Sequence, residues 1–162
     1  MKGSNKNISI TPDIKKLDAF FNSKMQRDKL LEIANKLLPK ISEKEPYAVQ
    51  NIKLSELGEN LPDLVGSLRV AVFFPNIETK VERHPNSDQF LFSLSGSGET
   101  RVYRNKKWKR DCYGDIITPA SIKSRWHFVE KNIWHQSVAT GETPWILAAI
   151  HTAKEVMDEY QE

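Results

Sequence analysis

Between Ser67 and His151 the apolar residues come in short or alternating runs broken by glycine, proline and asparagine, a pattern of strands and turns. The runs Leu68 to Phe74, Lys80 to His84, Gln89 to Leu94, Thr100 to Arg104, Asp115 to Thr118, Arg125 to Val129, Ile133 to Ala139 and Trp145 to His151 read as β-strands. So many short strands in about 85 residues must close their sheets on one another, so a sandwich or barrel is expected, for which the jelly roll is a common solution.

The rest of the chain has a different period. From Thr11 to Ile41 the apolar positions Ile14, Leu17, Phe20 and Phe21, then Leu30, Ile33, Ala34, Leu37, Leu38 and Ile41, recur at helical spacing. Thr11-Pro12 supplies a cap with proline in the first turn, and Pro39 bounds the far end. One long helix, or two broken near Asn22-Ser23, accounts for the segment. Ser42 to Pro46 reads as a linker, and residues 52 to 58 as a short strand and a turn of helix. After the last strand, Thr152-Ala153-Lys154-Glu155 has the form of a capping box, with Val156, Met157 and Tyr160 on one helical face. The expected organisation is therefore a helical extension over 1–46, a β-domain over 47–152 and a C-terminal helix over 153–162.

Composition narrows the function classes. At 162 residues with 39% apolar content, the chain suffices for one domain with a sizeable core plus an extension. No window approaches the ~18 apolar residues of a membrane span, and Met1 to Lys6 lacks the apolar core of a secretory signal, so a soluble cytoplasmic protein without a membrane partner is expected. Cys112 is the only cysteine, which excludes an internal disulfide and thiolate-built zinc sites. The net charge of +3 is well mixed except at Arg101 to Arg110, where six basic residues surround Tyr103 and Trp108. Such a cluster can grip nucleic acid, but Asn105-Lys106-Lys107 also has the form of a hairpin tip with solvated lysines, and no nucleic-acid partner is expected.

Chemistry concentrates at Glu82-Arg83-His84. Strand residues two apart share a face, so Glu82 and His84 aim at the same space. Pro85 holds His84 extended and opens the turn Pro85-Asn86-Ser87-Asp88, which returns the chain so that Gln89 arrives on a neighbouring strand.

With Gly96, this stretch resembles the first motif of the cupins, which has two histidines one residue apart, a glutamate and a glycine. Glu82 stands at the first histidine, His84 at the second and Gln89 at the glutamate, and Gly96 falls in register. Gly114-Asp115-Ile116-Ile117-Thr118-Pro119 resembles the opening of the second cupin motif, and Asn132-Ile133-Trp134-His135-Gln136 its histidine end. The resemblance covers residues 67 to 152. It implies a mainly β, cupin-type jelly-roll barrel (a double-stranded β-helix) and a metal site at Glu82, His84, Gln89 and His135. His127, beside Arg125 and Val129, borders the pocket or replaces His135 as third histidine under a shifted alignment.

Two imidazoles and one carboxylate suit iron, manganese or zinc and leave open positions for substrate. Two functions remain open. One is a metal-dependent isomerase or oxygenase acting on a sugar or small organic acid. The other is a metal-free ligand-binding or sensory cupin in which Glu82 and Gln89 hydrogen-bond the ligand. His151, at the end of the last strand, is expected to be peripheral. Pairing of sheets implies a homodimer.

Overall fold

A computed structural model describes residues 11–112 and 121–162. Helix α1 (Pro12–Phe21) starts at Thr11, whose side chain accepts a hydrogen bond from the Ile14 amide. Helix α2 (Lys24–Leu37) restarts at Ser23, which caps the Gln26 amide in the same way. Two caps three residues from their targets explain why the helical pattern divides at Asn22-Ser23. Ile14, Leu17 and Phe21 of α1 and Leu30, Ala34 and Leu37 of α2 are buried along one face each, the stripe expected of helices lying on a sheet.

Among the described residues ten strands follow: β1 (Tyr47–Ile52), β2 (Ser67–Phe73), β3 (Glu82–Arg83), β4 (Gln89–Ser95), β5 (Gly98–Arg104), β6 (Lys107–Cys112), β7 (Trp126–Val129), β8 (His135–Ala139), β9 (Trp145–His151) and β10 (Glu159–Tyr160). A short helix, α3 (Ile122–Arg125), precedes β7. The strands form two five-stranded antiparallel sheets, β1-β2-β9-β4-β7 and β10-β3-β8-β5-β6. This is the expected mainly β jelly roll with its N-terminal helices. The anticipated strand Asp115 to Thr118, with the motif Gly114 to Pro119, lies outside the described residues. Among the described residues no helix is long and apolar enough to cross a membrane.

The first sheet has two apolar faces. Leu68, Val70 and Val72 of β2, Phe90, Phe92 and Leu94 of β4, and Ile146, Ala148 and Ile150 of β9 pack with the helices. The alternate residues Ala71, Phe73, Leu91, Leu147 and Ala149 point into the space between the sheets. Each fully buried leucine or phenylalanine contributes about 1.5–3 kcal/mol, so the helices are part of the domain's core. Asp18 of α1 fixes their position: its carboxylate accepts hydrogen bonds from Arg125 Nη2 at 2.7 Å and Trp126 Nε1 at 2.9 Å, all in buried surroundings. Gly96 (φ +78°) closes the turn between β4 and β5, where a Cβ would stand 2.4 Å from the Pro144 carbonyl oxygen.

The C-terminus departs from expectation. Residues 153–162 form no helix; bends lead to β10, which pairs with β3. The capping box fails because its groups are engaged elsewhere. The Thr152 hydroxyl accepts from the Asp88 amide at 3.0 Å, and the Ala153 amide donates to Ser87 Oγ at 3.1 Å. Asn86 then takes the next turn of the tail, donating to the Glu155 carbonyl and accepting from the Met157 amide. Tertiary hydrogen bonds outweigh a helix too short to sustain itself.

Candidate metal centre

Three donors converge between the sheets. Glu82 lies directly opposite His135 across β3 and β8, and His84 follows two residues after Glu82 on the same face. Pro85 begins the turn at once, with the Ser87 amide reaching the His84 carbonyl, which also accepts from the Asn132 amide at 2.9 Å. Glu82 Oε1 stands 3.9 Å from His84 Nε2 and 3.6 Å from His135 Nε2. One ligand atom from each residue falls within 4.8 Å of the others. Ligands at about 2.0–2.2 Å from a shared ion would lie about 3.0–3.5 Å apart, so small side-chain adjustments would complete such a group.

The second nitrogen of each imidazole has an oxygen beside it. His135 Nδ1 lies 2.9 Å from the Ile133 carbonyl oxygen, which can only accept, so Nδ1 carries the proton and the Nε2 lone pair is free. His84 Nδ1 lies 2.9 Å from Asp158 Oδ1, outside hydrogen-bond alignment. Asp158 is in turn held by Arg69, whose two terminal nitrogens bind its two oxygens at 3.0 and 2.9 Å. Oriented imidazoles backed by a carbonyl or carboxylate are the usual surroundings of metal-binding histidines. His84 Nε2 and His135 Nε2 are buried and have no hydrogen-bond partner. Such orphaned acceptors are costly unless something binds them, and a divalent cation fits them.

Burial also sets the charge states. It pushes the His84 pKa down, reinforced by His135 and opposed by Glu82 and Asp158. It pushes His151 down to about 2, with His84 adding repulsion. Both rings are therefore neutral near pH 7, the form that binds metals.

His151 is not peripheral. It is fully buried, meets the His84 ring edge-on at 4.8 Å between centroids, and faces Gln89 across β9 and β4. Gln89 is buried with its Nε2 3.5 Å from His151 Nε2, while its Oε1 has no hydrogen-bond partner. His127 lies on β7 opposite Leu91, buried but outside the Glu82, His84 and His135 group and outside the lining of the adjoining cavity. Nothing in the sequence marks Arg69 or Asp158, and its pattern puts His151 at the periphery. Arg69 and His151 share strand faces with lumen residues, a signal readable only once strand pairing is known, and Asp158 was concealed by the expected helix.

The cavity beside Glu82 has a volume of about 320 Å³. Ala71, Phe73, Leu91, Leu147 and Ala149 form one wall, and Thr79, Lys80, Glu82, Ser137 and Asp158 belong to the other side and rim.

No protein-family profile matches the chain, and no curated protein sequence matches it. Solved structures do. An oxalate oxidase in complex with the substrate analogue glycolate superposes with a TM-score of 0.57 at 12% identity, covering 74% of this chain and 57% of that one. Oxalate decarboxylase from Bacillus subtilis superposes with a TM-score of 0.57 at 14% identity, covering 72% of this chain and 28% of that one. The chain has the cupin fold. Peruvianin-I, a cysteine peptidase from Thevetia peruviana latex, also matches, with a TM-score of 0.57 at 9% identity over 74% of this chain and 69% of that one. Fold and activity separate widely at such identities, so the chemistry of this chain must be argued from its own residues.

Proposed function

We propose that this cupin is a divalent-metal-dependent enzyme, an isomerase or oxygenase acting on a small organic acid or sugar, with Glu82, His84 and His135 as ligands. The observation that carries the reading is the convergence of one carboxylate and two buried, unpartnered imidazole nitrogens beside an open cavity. Iron, manganese and zinc all suit such a set. The matching Bacillus subtilis decarboxylase has Mn(II) centres, which supports a metal-based reading of the shared scaffold. When bound, the ion would act as a Lewis acid on substrate oxygens. The chain's own groups do the rest. The Ile133 carbonyl orients His135, Asp158 stands against His84, Gln89 presents an unbonded carbonyl oxygen to the substrate or a water, and the apolar wall limits water around the reacting atoms.

A second reading, a metal-free binding cupin, is favoured by Gln89, since a neutral amide stands where the resemblance implies a carboxylate ligand. Elemental analysis separates the two. Protein purified without added metal, then reconstituted separately with manganese, iron(II) or zinc and desalted, is expected to retain close to one ion per chain, and His84→Ala and His135→Ala to retain almost none. Wild-type protein that holds none of these ions would overturn the metal reading and leave the binding one.

A further inference from the structure

The cavity is graded from polar to apolar along the strands, and the register makes the gradient explicit. At one end Gln89 faces His151. One pair further, Arg69 faces Ala149 and Asn51. Next Ala71 lies between Val49 and Leu147, and at the far end Phe73 lies between Tyr47 and Trp145. The aromatic end is continuous: the Phe73 ring is 6.2 Å from Tyr47 and 5.2 Å from Trp145, centroid to centroid. Tyr47 and Val49 line the cavity and are also exposed, which leaves apolar surface for an occupant to cover.

The polar end carries unused cationic capacity. Arg69 has five N–H donors; three are taken, one by Asn51 and two by Asp158, leaving two on a guanidinium that lines the cavity. Lys80 is exposed and lines the same cavity. The volume of about 320 Å³ corresponds to roughly ten water molecules at their liquid volume, more than a two-carbon acid fills.

We propose that the cavity takes a monocarboxylic acid bearing an aromatic ring or branched apolar chain. The carboxylate lies against Arg69 beside Glu82, in a cavity that Lys80 also lines, and the apolar body lies on Ala71, Phe73 and Leu147. The inference deepens the proposed function, resting on its reading of this cavity as the substrate site, and names the substrate class. A dry wall facing a charged one selects molecules that satisfy both, since neither half alone collects the full interaction.

Isothermal titration calorimetry with phenylacetate, acetate and 2-phenylethanol provides the test, on metal-stripped and metal-reconstituted protein. Phenylacetate is expected to bind at least about tenfold more tightly than either acetate, which lacks the ring, or 2-phenylethanol, which lacks the charge. Ala71→Phe, which fills the apolar end, is expected to erase the advantage over acetate. Lys80→Ala, at an exposed position, is expected to weaken phenylacetate several-fold while leaving 2-phenylethanol unchanged. Acetate binding as tightly as phenylacetate, or phenylacetate indifferent to both substitutions, would overturn the proposal, as would no binding by any of the three. Metal content measured on the same samples keeps the two conclusions apart: one ion per chain without ring-dependent binding defeats only the substrate class, and ring-dependent binding without metal defeats only the metal reading.

Discussion

Acid sensitivity of the metal-free protein is the sharpest test of the buried histidine cluster, and His151 carries the largest share that can be quantified. Its pKa falls from an ordinary 6.5 to about 2 because burial, and then His84, oppose a charge on the ring. The sign follows from the competition for protons. Below pH 6.5 the unfolded chain takes up a proton at His151 and the folded protein does not, so the contribution to stability is fully present above 6.5. It is lost as pH falls from 6.5 toward 2. Each pH unit in that window is worth about 1.4 kcal/mol, so moving from pH 7.5 to pH 5 removes about 2 kcal/mol. That is a substantial part of the ~5–15 kcal/mol that stabilises an ordinary domain.

Urea unfolding in the presence of a chelator, at half-unit steps from pH 7.5 to 5, would measure this for the wild type and for His151→Gln. The substitution keeps a neutral polar side chain but cannot titrate. Its cost at pH 7.5 is immaterial, because the quantity of interest is the slope. Below pH 6 the wild-type slope should be steeper by close to one proton. His84, whose pKa is also lowered chiefly by burial, contributes to both proteins and cancels to first order. Parallel stability curves would refute the reasoning, for they would mean that His151 titrates alike in the folded and unfolded states.

Asp158→Asn should leave the fold intact but reduce metal affinity by about 10–100-fold, the usual effect of removing a carboxylate that backs a histidine ligand; competition against a fluorescent chelator measures it. Asp18→Ala should destabilise the protein by about 3–5 kcal/mol in urea unfolding, because Arg125, only 11% exposed, would lose its carboxylate partner. Light scattering at micromolar concentration should give the mass of a homodimer, and a monomer would contradict the expectation drawn from the unpaired strand edges.

The strands were legible because their side chains alternate and their ends carry turn formers. Pro85 marked the end of the strand that holds Glu82 and His84, and the turn after it forms as expected. That strand is nevertheless only Glu82–Arg83, shorter than the run Lys80 to His84, since pairing with β8 occurs at Glu82 alone. Strand β1 was mostly missed: Tyr47, Val49 and Gln50 are exposed, so its apolar signal is weak and its pairing with β2 supplies the order. The basic hairpin was readable in outline. Asn105 and Lys106 both take positive φ at its tip, and its three arginines are matched: Arg101 and Arg110 bind the buried Glu99, and Arg104 pairs with Glu130. Burial works to raise the Glu99 carboxyl, yet the hydrogen bonds from Arg110 and Arg101 hold it below its ordinary value. The C-terminus was illegible for the opposite reason. Its local signals favour a helix, and only the contacts of Asn86, Ser87 and Asp88 with residues more than sixty positions away reverse them.

That reversal changes the charge of the site. Glu82 alone would leave a divalent ion with one positive charge in excess. The tail brings Asp158 against His84, but it also brings Asp158 onto Arg69, and those two charges cancel. The excess positive charge therefore persists beside the cavity in the metal-loaded state, where partial burial weakens screening by solvent. Lys80 on the same cavity adds to it, so an anionic ligand would be attracted there. The local charge balance thus favours an anion, and the apolar wall of Ala71, Phe73 and Leu147 favours one whose charge lies at a single end. Both preferences come from groups on three separate strands and the tail, which is why the segment Glu82 to Gln89 pointed to candidate metal ligands but carried no sign of what they would meet.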